Sequence, residues 1–175
     1  MSRYRRAKIE GGTLFFTVAL ADRSGDLLVQ YIDHLRHAYK FVVDRYPFET
    51  KAICILPDHL HTIWSLPNGD RNFPLRWSLI KSKFSRGLPA GDLRSQSNVA
   101  KRDKGIWQRR YWEHAIRNEI DLARHVDYVH FNPVKHGYVS RVSDWPYSSF
   151  HRYVERGLLP PDWGGNVDMP DAMGE

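Results

Sequence analysis

The residues best suited to chemistry in this sequence are two histidines one residue apart, His59 and His61, in Cys54-Ile55-Leu56-Pro57-Asp58-His59-Leu60-His61-Thr62-Ile63-Trp64. In an extended chain alternate side chains share a face, so both imidazoles project together while Leu60 points into apolar packing. Two imidazoles on one face can share a metal ion; a His-x-His on its own reads more readily as two satisfied histidines at a hairpin mouth. Further on, Tyr128 and Asn132 stand four residues apart in His125-Val126-Asp127-Tyr128-Val129-His130-Phe131-Asn132-Pro133, which puts them on one face of a helix. A metal held by two imidazoles and an amide oxygen, next to a tyrosine hydroxyl, is suited to breaking phosphodiesters.

The elements that must position these groups are legible from periodicity. Thr13 to Leu20 is apolar on both faces and reads as a central strand. Leu28, Tyr31, Leu35, Ala38 and Val42 recur at intervals of three and four, the stripe of an amphipathic helix from Asp26 to about Tyr46. Phe48 to Leu56 and Leu60 to Leu66 form a hairpin around the Pro57-Asp58 turn, with the His pair at its mouth. Asn72 is placed to cap a second helix, with Phe73, Trp77, Ile80 and Phe84 inward and Arg76, Lys81 and Lys83 outward. Residues 88 to 105 have no periodicity and read as a mobile loop.

Tyr111 to Ile116 is expected as a fourth strand, and Asn118 as the cap of a long helix from Glu119 to Asn132 that Pro133 should end. The order strand, helix, strand, strand, helix, strand, helix predicts an α+β fold: a ferredoxin-like antiparallel sheet with helices on one face and an added C-terminal helix carrying Tyr128 and Asn132. One domain is expected over 1–156, followed by a Pro- and Gly-rich acidic tail over 157–175.

Charge narrows the partner. The net charge is +6, but all 26 Lys and Arg precede residue 157 while four of the 20 acidic residues follow it, leaving the body ten positive charges in excess. A polyanion is the natural ligand of such a surface. Ile106 to Arg117 mixes aromatics with arginines, a composition that can stack bases and hold phosphates, or can be core aromatics with a wet cationic edge. Arg5 and Arg6 on the basic N-terminal arm, with Arg109, Arg110 and Arg117, are the candidate DNA contacts. A single cysteine, Cys54, excludes an internal disulfide and a thiolate zinc cluster. No apolar run approaches the length of a membrane span, so no membrane partner is expected.

Taken together these segments resemble the REP-associated tyrosine transposases, single-tyrosine members of the HUH (His-hydrophobic-His) transposases. The resemblance spans nearly the whole chain: Tyr4-Arg5-Arg6, Gly11-Gly12-Thr13, Leu56-Pro57-Asp58-His59-Leu60-His61, Ile106-Trp107-Gln108, Trp112-Glu113-His114-Ala115-Ile116-Arg117, Asp127 through Gly137, and Asp144-Trp145-Pro146-Tyr147-Ser148-Ser149. It implies that His59 and His61 bind a divalent metal, Mg²⁺ or Mn²⁺, with Asn132 as third ligand, and that Tyr128 is the nucleophile. It further implies cleavage and rejoining of single-stranded palindromic hairpin DNA through a 5′-phosphotyrosine, in the bacterial cytoplasm at the nucleoid, by a monomer or a homodimer. His125 and His130 flank Tyr128 on the helix as candidates to take its proton. Two other readings of the same residues are a metal-dependent hydrolytic nuclease using water, and a non-enzymatic hairpin-DNA-binding protein.

Overall fold

The computed structural model describes residues 10–90, 95–100 and 103–164. In chain order its elements are β1 (Thr13–Ala19), α1 (Leu27–Gln30), α2 (Ile32–Arg45), β2 (Glu49–Ile55), β3 (His59–Ser65), α3 (Phe73–Ser85), α4 (Gln96–Ala100), β4 (Trp112–Ala115), α5 (Glu119–Lys135), a 3-10 turn (Val142–Asp144) and α6 (Phe150–Glu155). The strands pair antiparallel in the order β2-β3-β1-β4, the ferredoxin-like arrangement.

Both sheet faces are covered. Leu14, Phe16 and Val18 of β1, with Leu60 and Trp64 of β3, pack under Leu35, Ala38 and Val42 of α2 and Trp77, Ile80 and Phe84 of α3. On the opposite face Phe15, Ala52, Cys54 and Ile63 pack against Val126, Tyr128 and Val129 of α5. Strand alternation then fixes where the His pair looks: His59, His61 and Ile63 share the α5 face. The outer edge of β2 is paired rather than left open, since Ile53 N donates to Ser149 Oγ at 2.9 Å and Ile55 N to the Tyr147 carbonyl at 2.9 Å.

Five expectations change. The long helix does not stop at Asn132 but runs through Pro133 to Lys135. Proline removes one helix donor, and the real stop lies beyond it. Gly137 takes φ +73°, its N–H bonds the Val134 carbonyl at 2.9 Å, and Tyr138 N bonds the Pro133 carbonyl at 3.0 Å, a Schellman closure.

The first helix is broken at Tyr31 into α1 and α2. Within the stretch read as loop, Gln96–Ala100 is helical, Val99 N bonding the Ser95 carbonyl at 3.1 Å; residues 91–94 and 101–102 lie outside the described residues. Arg76, expected outward, is 3% exposed: its guanidinium pairs with Asp70 at 2.6 Å and bonds the Tyr46 and Pro47 carbonyls, tying the end of α2 to α3. A buried arginine is tolerated because its donors are satisfied.

Asn72 makes no side-chain cap; Asp70 Oδ1 instead accepts from Asn72 N at 2.7 Å. Asn118 does cap α5, accepting from Asp121 N at 2.9 Å. Beyond residue 156 the chain first packs back on the body, Trp163 lying 6.1 Å from the Phe150 ring and 6.3 Å from that of His130. Among the described residues no helix is long and apolar enough to cross a membrane.

Candidate active site

His59 opens β3 and His61 follows on the inner part of the sheet, between Thr17 of β1 and Cys54 of β2. Both are buried, 1% and 0% exposed, and their rings stand 4.9 Å apart at 86°. Each Nδ1 is held by a neighbour. His59 Nδ1 lies 2.7 Å from Asp58 Oδ1, while Arg23 Nε donates to Asp58 Oδ2 at 2.6 Å. Burial works against ionisation of Asp58, yet the hydrogen bonds from Arg23 and His59 outweigh it and hold this carboxyl below its usual range. An ionised carboxylate only accepts, and at 2.7 Å it outweighs the Arg23 Nη2 donor 3.2 Å from the same nitrogen, so the proton sits on His59 Nδ1 and leaves Nε2 with its lone pair.

Burial pushes His59 below the usual histidine pKa despite Asp58, which keeps the ring neutral near pH 7. His61 Nδ1 lies 2.9 Å from Thr17 Oγ1, and in the tautomer that donates to this hydroxyl its Nε2 is likewise the free-electron-pair nitrogen.

The facing helix supplies the rest. Tyr128, Asn132 and His136 succeed one another at intervals of four, one helical turn each. Tyr128 meets His61 edge to face at 5.2 Å, and His136 meets His59 at 5.1 Å. Asn132, between them on the helix, is therefore brought against the pair. Its side chain is 0% exposed, and neither Oδ1 nor Nδ2 has a hydrogen-bond partner among the described residues. His59 Nε2 is buried in the same condition. Leaving a buried polar group unpartnered costs ~1–3 kcal/mol, so these atoms are disposed for a ligand that takes both an imidazole lone pair and an amide oxygen. A divalent metal ion fits that donor set.

Tyr128 is 0% exposed, wedged between His61 and Phe15, whose ring lies 5.9 Å away. Lys135 Nζ donates to its hydroxyl at 3.4 Å and stands 4.9 Å from the ring centre. Two other tyrosines are placed differently. Tyr111 packs among Phe16 and Trp77 on the other sheet face, and Tyr138, 43% exposed, leans on Trp145.

Of the two histidines considered for Tyr128's proton, His130 points away, its Nε2 2.9 Å from Ser149 Oγ and its ring packed on Phe150 and Tyr153. His125 is committed to Asp121 and stacked on His114.

Arg109, Arg110 and Arg117 are exposed around β4, and Arg109 donates to Ser97 Oγ at 2.8 Å. Arg5 and Arg6 lie outside the described residues. The aromatics of this segment divide: Trp107 joins the core with Tyr111 packed against it, while Trp112 is 44% exposed.

Thr17, Arg23, Lys135 and His136 escaped the reading of the sequence, as did Asp58's role. Lys135 and His136 were reachable from the i, i+7 and i, i+8 spacing to Tyr128 had the helix been carried past Pro133. Asp58 adjoins the pair, whereas nothing local marks Thr17 or Arg23.

The chain is similar to known proteins over nearly its whole length. A REP-associated tyrosine transposase of Escherichia coli (strain K12) is 50% identical over 167 residues, covering 95% of this chain and 93% of the relative. A Haemophilus influenzae protein of the same family name is 53% identical over 170 residues, 97% of each chain. The structure of a REP-associated tyrosine transposase bound to a REP hairpin superimposes with a TM-score of 0.84 at 50% identity, covering 98% of this chain and 96% of that one. No protein-family model matches the sequence.

Proposed function

The chain belongs to the REP-associated tyrosine transposase family, and from that premise we propose that it cuts and rejoins REP-type hairpin DNA by transesterification at Tyr128. The observation that carries the proposal is the edge-to-face contact of Tyr128 with His61 at 5.2 Å, next to an Asn132 amide buried without a hydrogen-bond partner among the described residues. One helix face thus aligns a nucleophile and a ligand against a pair of imidazoles, and positioning of this kind is a large part of such catalysis.

In the reaction the Tyr128 hydroxyl oxygen attacks the scissile phosphorus in line. The bond from phosphorus to the 3′ oxygen breaks, the leaving oxygen takes up a proton as a free 3′-hydroxyl, and the 5′ phosphate stays on Tyr128. The reverse attack by a 3′-hydroxyl rejoins DNA without an external energy source. His59 Nε2, His61 Nε2 and Asn132 Oδ1 are the atoms that would hold Mn²⁺ or Mg²⁺, which when bound supplies Lewis-acid polarisation of the phosphate. The imidazole and amide donors suit Mn²⁺ somewhat better.

Asp58 keeps His59 in the ligand tautomer, and Thr17 orients the His61 ring. Lys135 holds a positive charge at the phenol oxygen, where the phosphate must arrive. Arg109, Arg110 and Arg117, with Arg5 and Arg6 of the arm, are proposed to grip the DNA. The place of action is then the bacterial chromosome.

Single-turnover cleavage of an end-labelled REP hairpin with single-stranded flanks, analysed on a denaturing gel, tests the proposal. A protein-linked fragment and a free 3′-hydroxyl are expected. A free 5′-phosphate with no adduct would assign a hydrolytic nuclease, and tight binding without any cut would assign a binding protein.

A further inference from the structure

We propose that His114, Asp121 and His125 form a second divalent transition-metal site, separate from the His pair, which clasps β4 to the first turns of α5. The three residues come from two elements that meet at the sheet edge: His114 is on β4, and Asp121 and His125 lie one turn apart on α5. Their ligand atoms all fall within 4.8 Å of one another. His114 Nε2 is 3.0 Å from Asp121 Oδ2, and His125 Nδ1 is 3.1 Å from Asp121 Oδ1. Donors on one ion at the ~2.0–2.2 Å of such bonds stand roughly this far apart, and an ion would take the place of the protons that His114 Nε2 and His125 Nδ1 share with Asp121.

Two imidazoles and a carboxylate favour a transition metal such as Zn²⁺, Mn²⁺ or Co²⁺ over Ca²⁺ or Mg²⁺. Access is provided, because His114 is 24% and Asp121 21% exposed while His125, at 7%, forms the floor. The electrostatics agree. Burial keeps His125 below its usual pKa, and despite partial burial of Asp121 the hydrogen bonds from His114 and the Arg117 N–H hold its carboxyl down, so the two rings face an anion. The consequence is mechanical. Phe15 lies 5.0 Å from His125, 5.7 Å from His61 and 5.9 Å from Tyr128, so an ion here fixes α5 relative to the strand that backs the proposed catalytic pair.

The test uses the untagged full chain carrying His59→Ala and His61→Ala, which removes the other site. Titration with Co²⁺, followed by visible absorption, is expected to give one equivalent of bound ion and a raised thermal midpoint. Adding Asp121→Asn should abolish both effects while far-UV circular dichroism stays unchanged. If that variant does not fold, His114→Gln, at a partly exposed position, makes the same comparison. No Co²⁺ bound by the doubly substituted chain, or binding that survives Asp121→Asn or His114→Gln, overturns the proposal.

Discussion

Thr17 and His61 sit opposite each other in the β1–β3 ladder, and Thr17 Oγ1 lies 2.9 Å from His61 Nδ1. A hydroxyl at that place holds the ring orientation and can accept from an Nδ1–H, as Asp58 does for His59 from the preceding residue. Outer partners of this kind are worth ~10–100-fold in metal affinity. Thr17→Val, nearly isosteric, should therefore weaken Mn²⁺ binding by about that factor with the fold retained, and Asp58→Asn should do the same. Isothermal titration checks it; wild-type affinity in both variants would remove these residues from the account.

His130 gives the fold a pH dependence. Loss of solvation pushes its pKa down to about 3, with the charges of Arg152 and His151 adding to the effect. Unfolded histidine titrates near ~6.5. Below that value the unfolded chain binds a proton that the folded one refuses, so this contribution is whole above ~6.5 and is lost as pH falls toward 3, by up to ~1.4 kcal/mol per pH unit. His130→Gln can still reach Ser149 but does not titrate. Urea unfolding at about pH 7 and about pH 5 should show a smaller acid loss in the variant; equal losses would mean that His130 protonates readily in the fold.

Lys135 is expected to act on rate rather than on DNA affinity, because its ammonium group touches the Tyr128 oxygen. Lys135→Met keeps most of the packing and removes the charge, and single-turnover cleavage should slow by about 100-fold. Lys135→Arg should recover part of it. An unchanged rate in Lys135→Met would leave this side chain as a cover for the ring alone.

How much of this the sequence carried depends on the range of the cause. Strand alternation put His59 and His61 on one face and helical spacing put Tyr128 with Asn132, and both are local geometry. The central position of β1 followed from its being apolar on both sides. Pro133 misled because a missing donor was weighed without the stronger signal behind it, Gly137 in the left-handed conformation that ends the helix. Arg76 misled because charge predicts exposure unless partners are known, and its partners lie in the chain before it, at Tyr46, Pro47 and Asp70. Thr17 could be assigned to His61 only once strand register was fixed, which is a property of the whole sheet.

The arginines are separable by salt. Each of Arg109, Arg110 and Arg117 is exposed, and loss of a pure phosphate contact should weaken hairpin binding at every sequence and reduce the slope of log affinity against log salt by about one. Arg5→Ala and Arg6→Ala are expected to behave likewise. Five variants with wild-type affinity and slope would move the DNA face elsewhere.

The central claim is that Tyr128 forms the covalent bond to DNA, and the most direct measurement is the mass of the trapped peptide. Wild-type protein incubated with a REP hairpin and Mn²⁺, digested and sequenced by mass spectrometry, should carry the nucleotide on the peptide containing Tyr128. Tyr128→Phe should bind metal and hairpin equally well and form no adduct. A nucleotide found on Tyr111 or Tyr138, or cleavage that persists in Tyr128→Phe, would contradict it.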